Sequence, residues 1–293
     1  MVFAGRCRML VSERVIKSTV FIGTKPERTF YPRGTGFIVV YEEFGHTFLH
    51  LVTAKHVIAL LRDMGAIVPW IRVNTSDGYA KEFEVPYSYW TFHPSDDTTD
   101  VAVCPFNIHV ADFDVTWIPL IEMAATAGVI QKNKIGPGEE VVIVGMFRSH
   151  YGHERNRPVV RAGTIALLDD EPVYTKWSGY TAAYLVEAHS IGGLSGSPAF
   201  VQMAPIRVVD EKAQYTEGRQ YYLLGLVSGH FDLQSIDEDT VPEETKRGGG
   251  INSGVGVVIP VEKIIETVEH PDLSRSRHEF ATKKHAGRSD SLP

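Results

Sequence analysis

The sequence predicts an all-β protein of two six-stranded antiparallel β-barrels with a short C-terminal helix. Three observations predict it. Short β-branched and aromatic runs recur along the whole chain, turn residues bound each run, and clear helical spacing is confined to two short segments. At 293 residues the chain has length for two such units and can bury a core without disulfides or metals. A composition of 43% hydrophobic and 22% charged residues is ordinary for a globular protein and excludes disordered and collagen-like classes.

In chain order, the first group of runs is Val15–Thr24, Gly36–Tyr41, Phe48–Thr53, Ile67–Asn74, Glu82–Pro86 and Asp100–Cys104. The second group is Glu140–Phe147, Val159–Leu168, Ala182–Ala188, Pro198–Gln202, Tyr221–Val227 and Val255–Ile259. Strands at this spacing read as small barrels. Ala54–Met64 and Val261–Glu269 carry apolar residues at helical spacing, the second just after Pro260. The division is an N-terminal extension over 1–14, a first barrel over 15–106, a connection over 107–137, and a second barrel with its helix over 138–269. Residues 270–293 are polar with little apolar periodicity and are expected to be a disordered tail.

The net charge of −7 and the absence of a large basic block argue against a nucleic-acid grip through phosphates. No apolar run is long enough for a membrane span, and the N-terminal residues lack the apolar core of a signal peptide. Two cysteines, Cys7 and Cys104, favour a reducing compartment over a disulfide scaffold. The expected location is the cytoplasm.

Chemistry gathers at three places. Gly193-Leu194-Ser195-Gly196-Ser197-Pro198 encloses a serine between glycines, a tight turn that can expose a hydroxyl and aim successive N–H groups into one concavity. A serine nucleophile needs a base, and His56 stands where the strand Phe48–Thr53 gives way to helix. A carboxylate must then fix the imidazole tautomer, and Asp100 opens the apolar strand that follows it. Taken singly, each has a plainer reading as a turn residue or a structural histidine. Their conjunction in the order His, Asp, Ser points to nucleophilic catalysis. His150 and His153 lie in a polar hairpin tip with no cysteine or carboxylate cluster at ligand spacing, so a solvated loop is expected there and no metal site.

These motifs resemble those of the trypsin-like serine peptidases of the chymotrypsin fold, nearest to the bacterial high-temperature-requirement and glutamyl-endopeptidase branches. Gly34-Thr35-Gly36-Phe37, Thr53-Ala54-Lys55-His56, Asp100-Val101-Ala102-Val103 and the Ser195 turn follow one another as in that family. Val255–Pro260 and the helix after it are similar to the family's last strand and C-terminal helix. The resemblance implies a serine endopeptidase working through an acyl-enzyme on Ser195, with His56 as base, Asp100 as its orienter, and the N–H groups of Gly193 and Ser195 as oxyanion hole. It implies no cofactor and a polypeptide substrate.

It further implies that Val227, Ser228 and Gly229 pair with the substrate backbone, and that His189, Ser190, Gly229 and His230 wall the specificity pocket. No acidic residue stands at the pocket base, which argues against a Lys or Arg preference. The histidines suit an acidic or amide side chain, or else pack beside a small apolar pocket. The chain departs from the family in having Val57 after the histidine, no activation site of the digestive type, and too few residues after the last expected helix for a PDZ domain. An acidic loop, Asp232–Glu244, offers a route to regulation by a protein partner. The alternative function is a latent or inactive peptidase-fold protein that serves as a binding module.

Overall fold

Strand formation begins later than the hydrophobic pattern suggests, because Ser12 starts a helix. In the computed structural model, Ser12 Oγ accepts a hydrogen bond from the Arg14 N–H at 3.3 Å and opens α1 (Glu13–Lys17), so Val15 is buried from a helix and not from a strand. The structure describes residues 11–168, 171–175, 177–188, 193–209, 212–215, 220–233 and 251–289.

The first half contains β1 (Thr19–Thr24), β2 (Tyr31–Glu43), β3 (His46–Thr53), β4 (Trp70–Asn74), β5 (Ala80–Glu84), β6 (Thr91–Phe92), β7 (Ala102–Pro105) and β8 (Ile118–Pro119). Their hydrogen-bonded order is β5-β4-β1-β2-β3-β7-β6, with β8 joined to β2 in parallel. The six expected runs all pair. β6 and β8 have two residues each, too short to leave a period in the sequence. Helix α2 (Lys55–Asp63) follows β3 directly, while α3 (Leu120–Met123) and α4 (Ala127–Asn133) occupy the connection between the halves.

The second half is a closed six-stranded antiparallel barrel. Its strands are β9 (Glu140–Gly145), β10 (Val159–Leu167), β13 (Tyr184–Glu187), β14 (Pro198–Met203), β17 (Gln220–Leu233) and β18 (Ile251–Pro260), and it closes in the order β10-β13-β18-β17-β14-β9. Two small hairpins stand outside it: β11 (Val173–Thr175) with β12 (Gly179–Thr181), and β15 (Ile206–Val209) with β16 (Lys212–Tyr215). Helix α5 (Val261–Val268) packs after β18.

One hydrophobic core runs through both halves. Phe37, Leu51, Val103 and Ile118 of the first sheet share a cluster with Phe200, Leu223, Ile259 and Ile264 of the second half. A second cluster, including Val141, Ile165, Val201 and Val258, fills the barrel interior. Cys104 is a buried free thiol in the larger core, and burial pushes its pKa up. Among the described residues no helix is long and apolar enough to cross a membrane.

The C-terminal segment departs from expectation. Where a disordered tail was expected over 270–293, the chain forms α6 (Pro271–Ser289), and residues 290–293 lie outside the described residues. Its buried stripe is Leu273, Arg277 and Ala281, spaced by four residues but with an arginine in the middle, so it carries little hydrophobic signal. Arg277 pairs with Glu43 of β2, donates to the Val268 carbonyl at 2.9 Å and lies over the Tyr41 ring. Phe280 packs edge-on against Phe48. The hairpin tip at 148–157 leaves the side chains of His150 and His153 exposed, as expected of a solvated loop, while its main chain docks on β4. Buried Arg72 of β4 donates to the carbonyls of Gly152 (2.9 Å) and His153 (2.5 Å), and Asn156 exchanges hydrogen bonds with Asn74.

Candidate active site

His56 owes its position to a strand-to-helix junction. Thr53 ends β3 and Ala54 occupies the N-cap of α2, but alanine cannot satisfy the unpaired N–H groups of the first turn. A distant carboxylate does so instead: Asp100 Oδ1 accepts from the His56 backbone N–H at 2.8 Å. The other oxygen, Oδ2, lies 2.7 Å from His56 Nδ1. Because the carboxylate accepts at Nδ1, the proton sits there and the Nε2 lone pair is left facing outward. Two hydrogen bonds to one carboxylate thus fix both the main chain and the ring of His56.

Asp100 is 1% exposed and stands just before β7. A buried carboxylate needs further partners, and Ser228 Oγ donates to its Oδ2 at 2.5 Å. Ser228 lies where the β17–β18 register shifts between Val227 and Gly229, an irregularity of the kind that re-aims a side chain. The loop leading to Asp100 is also pinned. His93 Nε2 is 2.5 Å from Glu266 of α5, and its Nδ1 accepts from the Asp96 N–H at 3.0 Å. Burial pulls the Asp96 carboxyl up, but hydrogen bonds from Thr98 and Thr99 outweigh it and hold the group below its ordinary range.

Ser195 sits in a turn bolted to both halves of the molecule. The Ser197 N–H donates to Leu194 O at 2.8 Å, and the Gly196 N–H donates to Val227 O at 2.7 Å. From β2, the Thr35 N–H donates to Ser195 O at 2.9 Å and the Thr35 hydroxyl donates to Gly193 O at 2.7 Å. Gly196 has φ +82°, and a Cβ there would lie 2.1 Å from Thr35 O, so no other residue fits. Ser195 Oγ donates to Ser228 O at 3.2 Å, and no hydrogen bond joins it to His56. Among the described residues, no hydrogen bond takes up the N–H of Gly193 or of Ser195.

The structure therefore brings His56, Asp100, Ser195 and Gly193 to one seam between the halves. Val227, Ser228, Gly229 and His230 lie together on β17, with Val227 donating its N–H to Ser197 O at 2.8 Å. His189 and Ser190 lie outside the described residues; of the expected acidic loop Asp232–Glu244, Asp232 and Leu233 end β17 and residues 234–244 lie outside the described residues. Ser228 was expected only as a substrate-pairing residue, and it is also a side-chain partner of Asp100.

Thr35 and Thr53 fall in the motifs noted in the sequence, but their contacts do not show there: the Thr53 hydroxyl donates to Thr35 O at 2.7 Å and ties the strand before His56 to the anchor of the Ser195 turn. Trp177 stacks on the His56 ring, centroids 4.9 Å apart and planes within 7°. Its one visible mark in the sequence is a cluster of aromatics, Tyr174, Trp177 and Tyr180, in a short segment with turn residues. Among the described residues, no group of three or more His, Cys, Asp or Glu is arranged to hold a metal ion.

No protein-family model matches the chain, and no curated protein sequence matches it. Solved structures similar to it include Deg5, at 16% identity and a TM-score of 0.47, covering 87% of this chain and 89% of that one. The MamO protease domain from Magnetospirillum magneticum is similar at 14% identity and a TM-score of 0.48, covering 86% of this chain and 96% of that one. The active form of the Rv3671c protease from M. tuberculosis is similar at 18% identity and a TM-score of 0.46, covering 87% and 81%.

Proposed function

We propose that this chain is a trypsin-like serine endopeptidase that cleaves polypeptides through an acyl-enzyme on Ser195. The observation that carries the reading is the buried His56 Nδ1···Asp100 Oδ2 contact of 2.7 Å on the seam that also holds the Ser195 turn. A carboxylate locked to Nδ1 leaves Nε2 as the acceptor a serine hydroxyl requires.

In this reading Ser195 Oγ rotates away from Ser228 O, gives its proton to His56 Nε2 and attacks the scissile carbonyl. The tetrahedral oxyanion is held by the N–H groups of Gly193 and Ser195, which have no partner among the described residues. His56 then returns the proton to the departing amine, and a water activated by the same imidazole releases the acyl group. Asp100 holds the tautomer and offsets the imidazolium charge. No step calls for a cofactor. Val227, Ser228 and Gly229 hold the substrate backbone, and His189, Ser190 and His230 line the specificity pocket, with an acidic or amide side chain as the preferred class. The low cysteine content, with Cys104 a buried thiol, supports work in the cytoplasm.

One observation favours a second reading, a latent or inactive module. The Ser195 hydroxyl is spent on Ser228 O and not on His56. Labelling with a fluorophosphonate probe separates the two readings. Labelling of the wild type that is lost in both Ser195→Ala and His56→Ala establishes an activated serine. An unlabelled wild type that still binds a protein partner through the same face speaks for the module.

A further inference from the structure

The face of the His56 imidazole is covered by a residue that the catalytic reading does not use. We propose that Trp177 is a positioning residue for His56, which holds the imidazole in the plane that directs Nε2 to Ser195. The inference rests on the reading of His56 as the base.

The support is a small structure built around one contact. β11 and β12 have three residues each, paired Val173↔Thr181, Tyr174↔Tyr180 and Thr175↔Gly179. So short a ribbon is not stable on its own, and this one is stapled at several points. Thr175 and Thr181 are buried, and Val173 packs against the main core. The Ser178 N–H donates to Thr175 Oγ1 at 3.1 Å, and that hydroxyl donates to Gly179 O at 3.3 Å. Tyr174 and Tyr180 pack edge to face at 5.4 Å across the ribbon. The turn so fixed carries Trp177.

From there the indole lies parallel to the imidazole, centroids 4.9 Å apart, while remaining 52% exposed itself. An indole left half in water does not owe its place to core packing. What it covers is the ring of His56, which is itself buried at 8% exposure.

The two contacts on the ring are complementary. Asp100 fixes the Nδ1 edge of the ring, and a single hydrogen bond at one edge resists tilt less than it resists displacement. A flat indole on the ring face removes the tilt. When the proton moves from Ser195 to His56, the ring becomes an imidazolium, and an aromatic face attracts a cation. Trp177 would therefore both aim the base and favour its charged form.

The test uses the full chain with two readouts. The first is the low-field proton resonance of the His56 Nδ1–H···Asp100 hydrogen bond, together with the ring-current shift of the His56 carbon-bound protons, in histidine-labelled protein. The second is the rate constant for modification of Ser195 by diisopropyl fluorophosphate, a reagent too small to need a side-chain pocket. Expected for Trp177→Leu is loss of the upfield ring-current shift, broadening of the low-field proton and a rate at least tenfold lower. Trp177→Phe should keep the low-field proton and stay within about threefold of the wild-type rate, whereas a merely structural tip would give no such rescue. A Trp177→Leu protein that reacts as fast as wild type or faster, or that keeps a sharp low-field proton, overturns the proposal. An unreactive wild type instead refutes the reading of Ser195 as an activated nucleophile. The His56 resonances then decide alone whether Trp177 holds the ring.

Discussion

The Thr35 hydroxyl on β2 donates to the carbonyl of Gly193, in the Ser195 turn, at 2.7 Å, across 158 residues of sequence. The same oxygen accepts the Met146 N–H at 3.0 Å, so one threonine links the first sheet, the end of β9 and the peptide before Leu194. It joins the half that carries His56 and Asp100 to the half that carries Ser195.

Thr35→Val keeps the shape and removes both hydrogen bonds. It leaves a part-buried carbonyl and a buried N–H without these partners, at a cost of about 2 kcal/mol. Probe labelling of Ser195 should slow by about 10²-fold, the scale of losing one oxyanion donor. Chemical denaturation and labelling kinetics on the same samples check both. A variant with wild-type labelling would show that the turn holds its shape without Thr35.

Asp100→Asn should leave the fold in place and lower the rate by about 10⁴-fold, because an amide can donate to Nδ1 and invert the tautomer. Ser228→Ala removes one of three donors to Asp100. It should cost about 2 kcal/mol of stability, the range for a hydrogen bond to a charged group, and a smaller loss of rate. Steady-state kinetics on a peptide substrate and melting curves give the order; a Ser228→Ala loss equal to that of Asp100→Asn would contradict it.

His50 sits buried beside Arg277, and burial first, then the guanidinium charge, lowers its pKa from 6.5 to about 4. The folded ring stays neutral down to about pH 4, whereas the unfolded ring takes up a proton below about 6.5. Unfolding therefore binds a proton in this window, and stability falls as pH drops from 6.5 to about 4, by about 3 kcal/mol in all. His50→Gln should flatten that part of the profile, as read by urea titrations at several pH values. An equally steep decline in the variant would place the effect elsewhere.

Arg277→Met tests the docking of α6. It removes the ion-pair partner of Glu43, a side chain 23% exposed that keeps the Ser274 hydroxyl as a donor, and breaks the link to the Val268 carbonyl. A partly buried carboxylate that loses its ion pair but keeps one hydroxyl donor should cost about 2 kcal/mol, below the 3–5 kcal/mol of a fully buried pair. Protease nicking after α5 should rise in parallel. Unchanged resistance to nicking would mean that Leu273 and Phe280 suffice to hold the helix.

Much of this architecture was legible before any coordinates, and the reasons are local. Strand runs bounded by turns announce themselves by period, so the six main strands of each half and helices α2 and α5 were visible. The glycines of the Ser195 turn were visible because only glycine meets its backbone demand, as Gly196 illustrates. The misses share a cause. α6 hides its buried stripe behind Arg277, whose burial depends on Glu43 more than 200 residues away in sequence. β6 and β8 are too short for any period. The exposed tip at 148–157 gave no sign that Arg72, remote in the chain, takes up two of its main-chain carbonyls.

The sequence by itself determined the strand-rich class and singled out His56, Asp100 and Ser195, in that order, as candidates, because both follow from side-chain chemistry and local period. Only the tertiary structure decided how they are held. Asp100 caps α2 while gripping the imidazole, Ser228 reaches Asp100 from an irregular strand, Thr35 anchors the nucleophile turn, and Trp177 covers His56. Each of these contacts joins residues remote in the chain. Hydrogen bonds and stacking act over a few ångströms of space, and no local pattern records which distant side chain will arrive there.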